Sequence, residues 1–479
     1  MPAATRVAHY FAAVRDIQRM MMRRSKFAAL ACIVLSSVSA HAAGPALVRE
    51  RLANGLEVVV IPDHRTPLVS VNVWYHVGSK DEPVGRNGFA HLFEHLMFQG
   101  SKHVPEDQFF KLLEAVGASD VNGTTNDDRT NYHETVPAAD LERALWLESD
   151  RMGFLLDHVD QATLDSQREV VKNERRQNYE NAPYGMVHSF VLEALYPVGH
   201  PYRLTTIGTP EDLDRATLDD VRAFFRTWYV PSNATLVLAG DVTPERAKIL
   251  VAKYFSDLPK GAEVVRKAPT VVAPLARSAE VDVEANVPSN ELRLSFPSPA
   301  FFAEGDEDLD VLGALLGAEG VGRLHKLLVH DKQLATAVNV YQASRQLGST
   351  FEIVVRMADG KKVQDALKLI DAELALFAKS GATEAEVRRA RTPLVTSHVF
   401  GAESLSERAE TANMYAHYTG DPAYLSKDVA RYEAVTPKTM LDAAKHWVLG
   451  KPRVVTRVTA NKAAPVAGRL AALKGEVSK

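Results

Sequence analysis

The sequence predicts an α+β protein made of two homologous domains, each a mostly antiparallel sheet covered by helices. Strand-like segments with alternating or wholly apolar residues open both halves of the chain. A helix followed by a strand recurs at a constant interval in the two halves. A segment rich in proline, glycine and charge, 259–274, separates the halves and reads as a linker.

The repeated helix and strand relate the two halves to each other. Thr217 precedes a helical segment that ends near Trp228, and Thr436 precedes one that ends near Trp447. The interval between the two threonines equals the interval between the two tryptophans. Threonine is a good N-cap residue, and Pro437 is tolerated at the first helical position because its missing N–H is not needed there. Two unrelated α+β domains are the alternative interpretation.

Predicted strands account for one sheet in each half. In the first half they are 56–61, 69–77 and 234–239, and in the second half they are 279–283, 291–296 and 453–458. Long amphipathic segments lie between them. Such a pattern favours sheets that are covered by helices.

The composition excludes several classes of protein. Of the 479 residues, 46% are hydrophobic and 24% are charged, which excludes a disordered or collagen-like chain. The 56 basic residues do not exceed the 60 acidic residues, so no basic excess indicates nucleic-acid binding. Cys32 is the only cysteine, which excludes an internal disulfide and a cysteine metal cluster.

Residues 1–42 have the features of a secretory signal peptide. Basic residues at 23, 24 and 26 precede the mostly apolar segment 27–38, and Ala40-His41-Ala42 is a small-x-small cleavage site. The apolar segment is too short to span a bilayer, which takes about 20 residues. We expect cleavage after Ala42, export to a bacterial periplasm, an N-terminal domain at 43–258 and a C-terminal domain at 275–479.

Details of export stay open at this point. Lipoprotein processing at Cys32 is an alternative, although the apolar stretch continues beyond it, and Arg23-Arg24 weakly resembles a twin-arginine signal. Translation from one of the methionines at 20–22 would leave a signal of ordinary length. We expect no membrane span after cleavage, because no later segment is long and apolar enough.

The segment 88–98 carries the strongest chemical signal. His91, Glu94 and His95 form the string H-x-x-E-H among apolar residues. Two residues four apart lie on one face of a helix, so both imidazoles can reach one Zn²⁺ at about 2.0–2.1 Å. Glu94 lies on the same face, where it can take a proton from a metal-bound water. Chance gives this string only roughly 0.03 times in such a chain, so we predict a zinc site.

A catalytic zinc ion needs a third protein ligand and an open position for water. Since no cysteine is available, that ligand must be His, Asp or Glu. A polar helix predicted over 163–178 offers Glu169 and Glu174. Each of them could instead be a surface residue that pairs with a nearby Arg or Lys. The residues alone do not choose between the two.

The sequence around the motif resembles the pitrilysin family of zinc metallopeptidases, the inverzincins, which includes mitochondrial processing peptidase and insulin-degrading enzyme. The likeness extends through 73–101, 206–213, 229–241 and 418–422, and so covers nearly all of the chain after residue 42. It implies the LuxS/processing-peptidase-like fold. It also implies a zinc-dependent endopeptidase or oligopeptidase that hydrolyses extended or unfolded peptides, with one Zn²⁺ per chain.

The resemblance implies roles for particular residues. The run 168–174 is similar to the family pattern R-x-x-V-x-x-E and puts Glu174 at the third ligand position, with His91 and His95 as the other two ligands. Glu94 would act as general base and then as general acid. Gln167 stands where some relatives carry a supporting glutamate, so that carboxylate is missing here. Glu169 is left with a supporting role at most.

The segment 117–126 resembles the family's edge strand, on which an extended peptide adds as a further strand. Main-chain hydrogen bonds would then hold the substrate with little side-chain selectivity. The alternative is an ordinary loop and strand with Gly and Asn at the turns. The residues expected to form the substrate-binding edge are Ala118, Val121, Asn122, Gly123, Thr124, Thr125 and Asn126.

The resemblance further implies that this chain is half of an active unit with four such domains. Complete members place an Arg and a Tyr near the substrate carbonyl, but Val329 and Thr336 stand at those positions here. We expect a heterodimer with a homologous chain that supplies the Arg and Tyr. A homodimer that uses His330 or Lys332 is the alternative. At the repeat interval the second half has no metal ligands, because the matching residues are Asp310, Gly313 and Ala314.

Two non-catalytic interpretations compete with a peptidase. The chain could be a scaffold subunit of a peptidase complex, or a zinc- or peptide-binding module without turnover. The intact set of His91, Glu94, His95 and Glu174 argues against the scaffold.

Overall fold

Two six-stranded sheets, one in each half of the chain, form the framework of the protein. The computed structural model describes residues 47–266 and 275–475. The expected signal peptide, Cys32 and residues 267–274 of the expected linker lie outside the described residues. The predicted α+β class is confirmed, because both sheets are mostly antiparallel and are covered by helices.

Five of the six strands follow one another in the same way in both halves, whereas the outer strand comes first in one half and last in the other. Those of the first sheet are β1 Val48–Arg51, β2 Glu57–Pro62, β3 Leu68–Tyr75, β4 Ser119–Thr125, β5 Thr130–Pro137 and β6 Ala234–Gly240. Those of the second sheet are β7 Ala279–Ala285, β8 Glu291–Ser298, β9 Ala335–Ala343, β10 Ser349–Met357, β11 Val454–Ala460 and β12 Arg469–Lys474.

The two sheets share one topology. Their orders are β1-β2-β6-β3-β5-β4 and β12-β7-β11-β8-β10-β9. The second to sixth strands therefore correspond pairwise, and in each sheet the second and third strands run parallel while the other pairs run antiparallel. This correspondence agrees with the predicted internal repeat.

Helices fill the segments between the strands. In the first half they are α1 Phe89–Leu96, α2 Gln108–Glu114, α3 Leu141–Phe154, α4 Gln161–Arg175, α5 Val187–Leu195, α6 Pro210–Asp214, α7 Leu218–Trp228 and α8 Pro244–Phe255. In the second half they are α9 Asp306–Gly317, α10 Arg323–His325, α11 Val363–Ser380, α12 Glu384–Gly401, α13 Leu405–Thr419, α14 Leu425–Ala434 and α15 Pro437–Trp447. None of the described helices is long and apolar enough to cross a bilayer.

The caps of the repeated helices agree with the sequence. The Thr217 side chain accepts a hydrogen bond from the backbone N–H of Asp220 at the start of α7. The Thr436 side chain accepts one from the N–H of Thr439 at the start of α15. The predicted bounds of both helices are therefore confirmed.

Each half contributes one helix to the sheet of the other half. Helix α5 packs on β7 and β11, where Val191 joins one apolar cluster with Val281. Helix α13 packs on β3 and β6, where Ala412 lies in a cluster with Val237. The remaining face of the first sheet packs on the helices of its own half in a separate core. Alternate side chains of a strand point to opposite faces, so both faces of β6 are apolar.

A charged cluster lies inside the core of the first half. Arg151 on α3 forms a buried ion pair with Glu148, and its guanidinium lies 4.2 Å from the ring centroid of Tyr132. Glu134 on β5 is buried next to the Glu148 carboxyl group. Burial, and then the neighbouring Glu148 carboxylate, raise the pKa of Glu134 well above its ordinary value. Burial therefore favours the neutral form of Glu134 in the folded protein.

We expect Glu134→Gln to stabilise the protein at neutral and alkaline pH. Above the ordinary pKa of Glu, the unfolded chain releases the proton of Glu134, whereas the folded protein keeps it. The free energy of unfolding therefore falls as pH rises, by about 1.4 kcal/mol per pH unit, until the pKa of Glu134 in the folded protein is reached. Glutamine has no such proton to lose. Denaturant unfolding at pH 5 and pH 8 should show a smaller loss of stability with pH in the variant. An equal or larger loss would contradict a neutral Glu134.

Candidate metal centre

Helix α1 carries the H-x-x-E-H string and begins without a capping side chain of its own. Its N-cap residue is Gly88, at φ 96°. Glu82 supplies the acceptor instead: its Oε2 accepts a hydrogen bond from the Gly88 N–H at 3.0 Å, and its Oε1 accepts one from the Ala90 N–H at 2.9 Å. Burial raises the pKa of Glu82 to about 8. This buried carboxyl group therefore fixes the start of the helix.

The segment 205–212, a loop that continues into the start of α6, holds the start of α1 against the end of α4. A Cβ atom on Gly88 would lie 2.8 Å from Gly208 Cα, so the two backbones are in contact. Arg175, the last residue of α4, donates from Nη1 to the Gly208 carbonyl at 2.6 Å. The Asn87 N–H donates to Asp212 Oδ2 at 3.0 Å. These contacts place the last turn of α4 beside the histidines of α1.

The side chains of His91, His95 and Glu174 converge as a result. Glu174 Oε2 lies 3.5 Å from His91 Nε2 and 3.3 Å from His95 Nε2. The imidazole rings are nearly perpendicular, with centroids 4.8 Å apart. Ligand atoms around a tetrahedral zinc ion with bonds of about 2.0–2.1 Å lie about 3.3 Å apart. The donor set and its spacing therefore fit one Zn²⁺.

The protonation states of these groups also fit a metal. Burial, and then the adjacent His95, lower the pKa of His91, so its imidazole is neutral. The neighbouring His95 lowers the pKa of Glu174, so its carboxylate is ionised. Neutral imidazole and ionised carboxylate are the forms that bind metals. Among residues 47–266 and 275–475, no second group of three such side chains lies close enough to hold an ion.

The group is open to solvent on one side. The side chain of His91 is 12% exposed, that of His95 21% and that of Glu174 33%. The buried Nδ1 atom of His91 has no hydrogen-bond partner among the described residues.

Glu94 lies between the histidines and strand β4. Its Oε2 accepts a hydrogen bond from Thr125 Oγ1 at 2.5 Å. Burial raises the pKa of Glu94, and the Thr125 hydrogen bond opposes this shift. A Cβ atom on Gly123 would lie 3.0 Å from both Glu94 Cγ and the Phe98 ring. Strand β4 thus passes so close to α1 that the Glu94 side chain occupies the space a larger residue at 123 would need.

Strand β4 is the edge of the first sheet, with β5 on one side only. Its pairing with β5 shifts between Ser119 and Asn122, and Asp120 has a positive φ of 55° within this bulge. Ala118 directly precedes the strand, and both Ala118 and Val121 pack against the core of the first half.

Other residues of the expected substrate edge have local partners. Thr124 Oγ1 donates to Asn131 Oδ1 on β5 at 2.5 Å. Asn126 lies beyond the strand, where its Oδ1 accepts hydrogen bonds from the N–H groups of Asp128 and Arg129 at 2.8 and 2.9 Å. Asn126 therefore shapes the turn between β4 and β5.

Helix α4 directs its two glutamates differently. It begins at Gln161, two residues before the predicted start, because the Asp160 side chain caps it, and it continues as a π-helical turn over Arg176–Glu180. Glu169 is exposed and pairs with Lys172 at 2.8 Å, away from the histidines. Gln167 is buried. Of the two glutamates that the sequence left open, the structure brings only Glu174 to His91 and His95.

The corresponding helix of the second half, α9, lacks such a group. It too begins after a glycine with positive φ, Gly305 at 87°. Aligning Gly305 with Gly88 shifts the expected correspondence by two residues. The positions of His91, Glu94 and His95 are then taken by Asp308, Val311 and Leu312.

Sequence reasoning missed the residues that position the two helices. They are Glu82, which caps α1, Arg175, which donates to the Gly208 carbonyl, and Asp212, which accepts from the Asn87 N–H. A glycine at the N-cap, with no acceptor side chain, could have indicated that α1 needs an acceptor from elsewhere.

Comparisons with known proteins agree with this geometry. The family model "Insulinase (Peptidase family M16)" matches residues 57–209, which contain the metal centre, and "Peptidase M16 inactive domain" matches residues 215–394. The zinc protease PqqE of Helicobacter pylori is 31% identical over 371 residues, which are 77% of this chain and 82% of that protein.

Solved structures resemble the whole fold. The crystal structure of a protease from Helicobacter pylori has a TM-score of 0.81 at 27% identity and covers 87% of this chain and 100% of its own. The periplasmic protease PqqL of Escherichia coli has a TM-score of 0.71 at 19% identity, over 87% of this chain and 48% of its own. Together with the identity to PqqE across most of both sequences, these matches show that the chain belongs to peptidase family M16, the pitrilysin family.

Proposed function

We propose that the chain is a zinc-dependent endopeptidase or oligopeptidase that hydrolyses peptide bonds in extended or unfolded peptides. The convergence of His91, His95 and Glu174, with the Glu94 carboxyl beside them, is the observation that carries this proposal. The relatives that are named zinc proteases support it.

His91, His95 and Glu174 would hold one Zn²⁺, which supplies a Lewis acid for the scissile carbonyl and lowers the pKa of a water molecule. Glu94 would take the proton of the attacking water and return it to the leaving amine. Burial supports this role, because it raises the pKa of Glu94 toward the range of a general base that later acts as an acid.

The open edge of β4 supports an extended substrate. Its free backbone N–H and C=O groups can pair with a peptide that adds as a seventh strand of the first sheet. Gly123 would bring this peptide close to Glu94, since no side chain at 123 separates the strand from α1. Side-chain selectivity would then be low.

We propose a periplasmic location, with cleavage after Ala42. The export signal in the sequence and the periplasmic relative PqqL support it.

Glu94→Gln should abolish most hydrolysis while zinc stays bound. The amide keeps the shape of the side chain and cannot accept the proton, so we expect a loss of about 10²-fold or more in kcat. A quenched fluorescent, unstructured peptide and metal analysis of the same sample measure both properties. Hydrolysis within threefold of the wild type would contradict the assignment of Glu94.

Glu174→Gln should lower zinc occupancy together with activity, because a charged ligand is replaced by a neutral one. Glu169→Gln is the matched control on the same helix, since Glu169 is exposed and paired with Lys172. Metal content after dialysis against a weak chelator should fall at least tenfold only in the Glu174 variant. Equal zinc content in both variants would remove Glu174 from the ligand set.

We further propose that the active unit is a heterodimer with a homologous chain that supplies an Arg and a Tyr near the substrate carbonyl. Val329 packs against the core of the second half, and Thr336 Oγ1 donates to the Arg356 carbonyl at 3.4 Å. Neither side chain can therefore replace the Arg or the Tyr. His330 and Lys332 are exposed and are the candidates in a homodimer.

The purified chain alone should therefore hydrolyse peptides poorly and gain at least tenfold in rate with the partner that co-purifies from its native host. Peptide assays on the chain before and after addition of the partner measure this gain. Full activity of the chain alone would contradict the heterodimer. In that case, loss of activity in a His330 or Lys332 variant would support the homodimer.

A further inference from the structure

The turns of two equivalent hairpins meet at the junction of the halves. One turn, 126–129, joins β4 to β5 in the first half, and the other, 344–348, joins β9 to β10 in the second. Arg345 Nη1 lies 3.3 Å from Asp127 Oδ2. The Gln346 N–H donates to Asp128 Oδ2 at 2.9 Å. The second half thus binds the turn that directly follows the candidate substrate edge.

Asp128 is the centre of this junction. Its residue is 1% exposed, and its carboxylate accepts three hydrogen bonds from three different elements. Besides the Gln346 N–H, the donors are the hydroxyl of Tyr202 at 2.6 Å and the hydroxyl of Tyr418 at 3.0 Å. Tyr418 lies on α13, the helix that the second half contributes to the first sheet, and Tyr202 belongs to the apolar cluster on the second sheet. A buried carboxylate needs such partners, because hydrogen bonds to a charged group replace its lost hydration.

The turn transmits the position of Asp128 to the metal centre. Asn126 Oδ1 accepts from the Asp128 N–H, which makes the turn rigid. Thr125, three residues before Asp128, is the last residue of β4 and donates to Glu94. A shift of Asp128 would therefore move the hydroxyl that holds the Glu94 carboxyl.

We propose that Asp128 is a positioning residue through which the second half of the chain aligns Glu94. The inference rests on the proposed peptidase function. It assigns a task to a half that has no metal centre among its described residues: its hairpin 344–348 and helix α13 hold the β4–β5 turn in the place that Glu94 requires.

The test compares Asp128→Asn with a matched control, Asp428→Asn, in the full mature chain. Asp428 is also buried, and it accepts hydrogen bonds from the hydroxyl of Tyr415 on α13 and from Arg431, but it lies on α14, outside both the β4–β5 turn and the hairpin 344–348. Both variants should lose similar thermal stability and keep their zinc. We expect kcat to fall at least tenfold in Asp128→Asn and less than twofold in Asp428→Asn.

A double variant separates positioning from general destabilisation. Thr125→Val removes the hydroxyl that binds Glu94, so Asp128→Asn should lower kcat little further in that background. Multiplicative losses, or equal kcat in Asp128→Asn and Asp428→Asn, would overturn the positioning role while leaving the peptidase intact.

If Asp128→Asn does not fold, Tyr418→Phe, which removes one donor, should lower kcat at least threefold without loss of zinc, and an unchanged kcat would overturn the role. A wild-type chain without zinc-dependent hydrolysis would instead refute the proposed function, and this inference with it.

Discussion

The exchange of one helix between the halves is the constraint on which the rest of the structure depends. The own half of each sheet covers one face, and the other face carries a smaller apolar cluster among buried polar residues. Helix α13 covers the open face of the first sheet, and α5 does the same for the second. A half on its own would expose this apolar cluster to water, so both halves need each other to bury their sheets.

The geometry of the candidate metal centre follows from this framework through a short chain of contacts. The first sheet fixes β4, the core beneath it fixes α1, and the loop 205–212 brings α4 to α1. The three candidate ligands come from α1 and α4, two helices far apart in sequence. Close backbone contacts, such as that between Gly88 and Gly208, fix their relative positions. Since these contacts involve backbone and buried charged groups, the protein alone holds the three candidate ligands in position.

The sequence predicts the fold class, the repeat and the placement of His91 and His95 on one helix, because these depend on local periodicity. Thr217 and Thr436 cap their helices as their residue type indicates. The choice between Glu169 and Glu174 depends on which face of α4 meets α1, and a single helix does not contain that information. The cap at Glu82 and the three donors to Asp128 are likewise long-range, so no local pattern indicates them. The helix exchange was missed for the same reason, since α5 and α13 have ordinary sequences.

The open edge of β4, which would bind a peptide, also brings a risk of aggregation. An unpaired strand edge can join the edge of another molecule and start aggregation. The bulge at Asp120 interrupts the regular edge, and the exposed Asp120 carboxylate would meet a like charge if two copies approached antiparallel at this point. The start of β4 is thus protected against self-association, whereas the stretch from Asn122 to Thr125, beside the candidate metal centre, pairs regularly with β5. The same irregularity that would limit how far a bound peptide can pair therefore also disfavours edge-to-edge pairing of two copies of the chain.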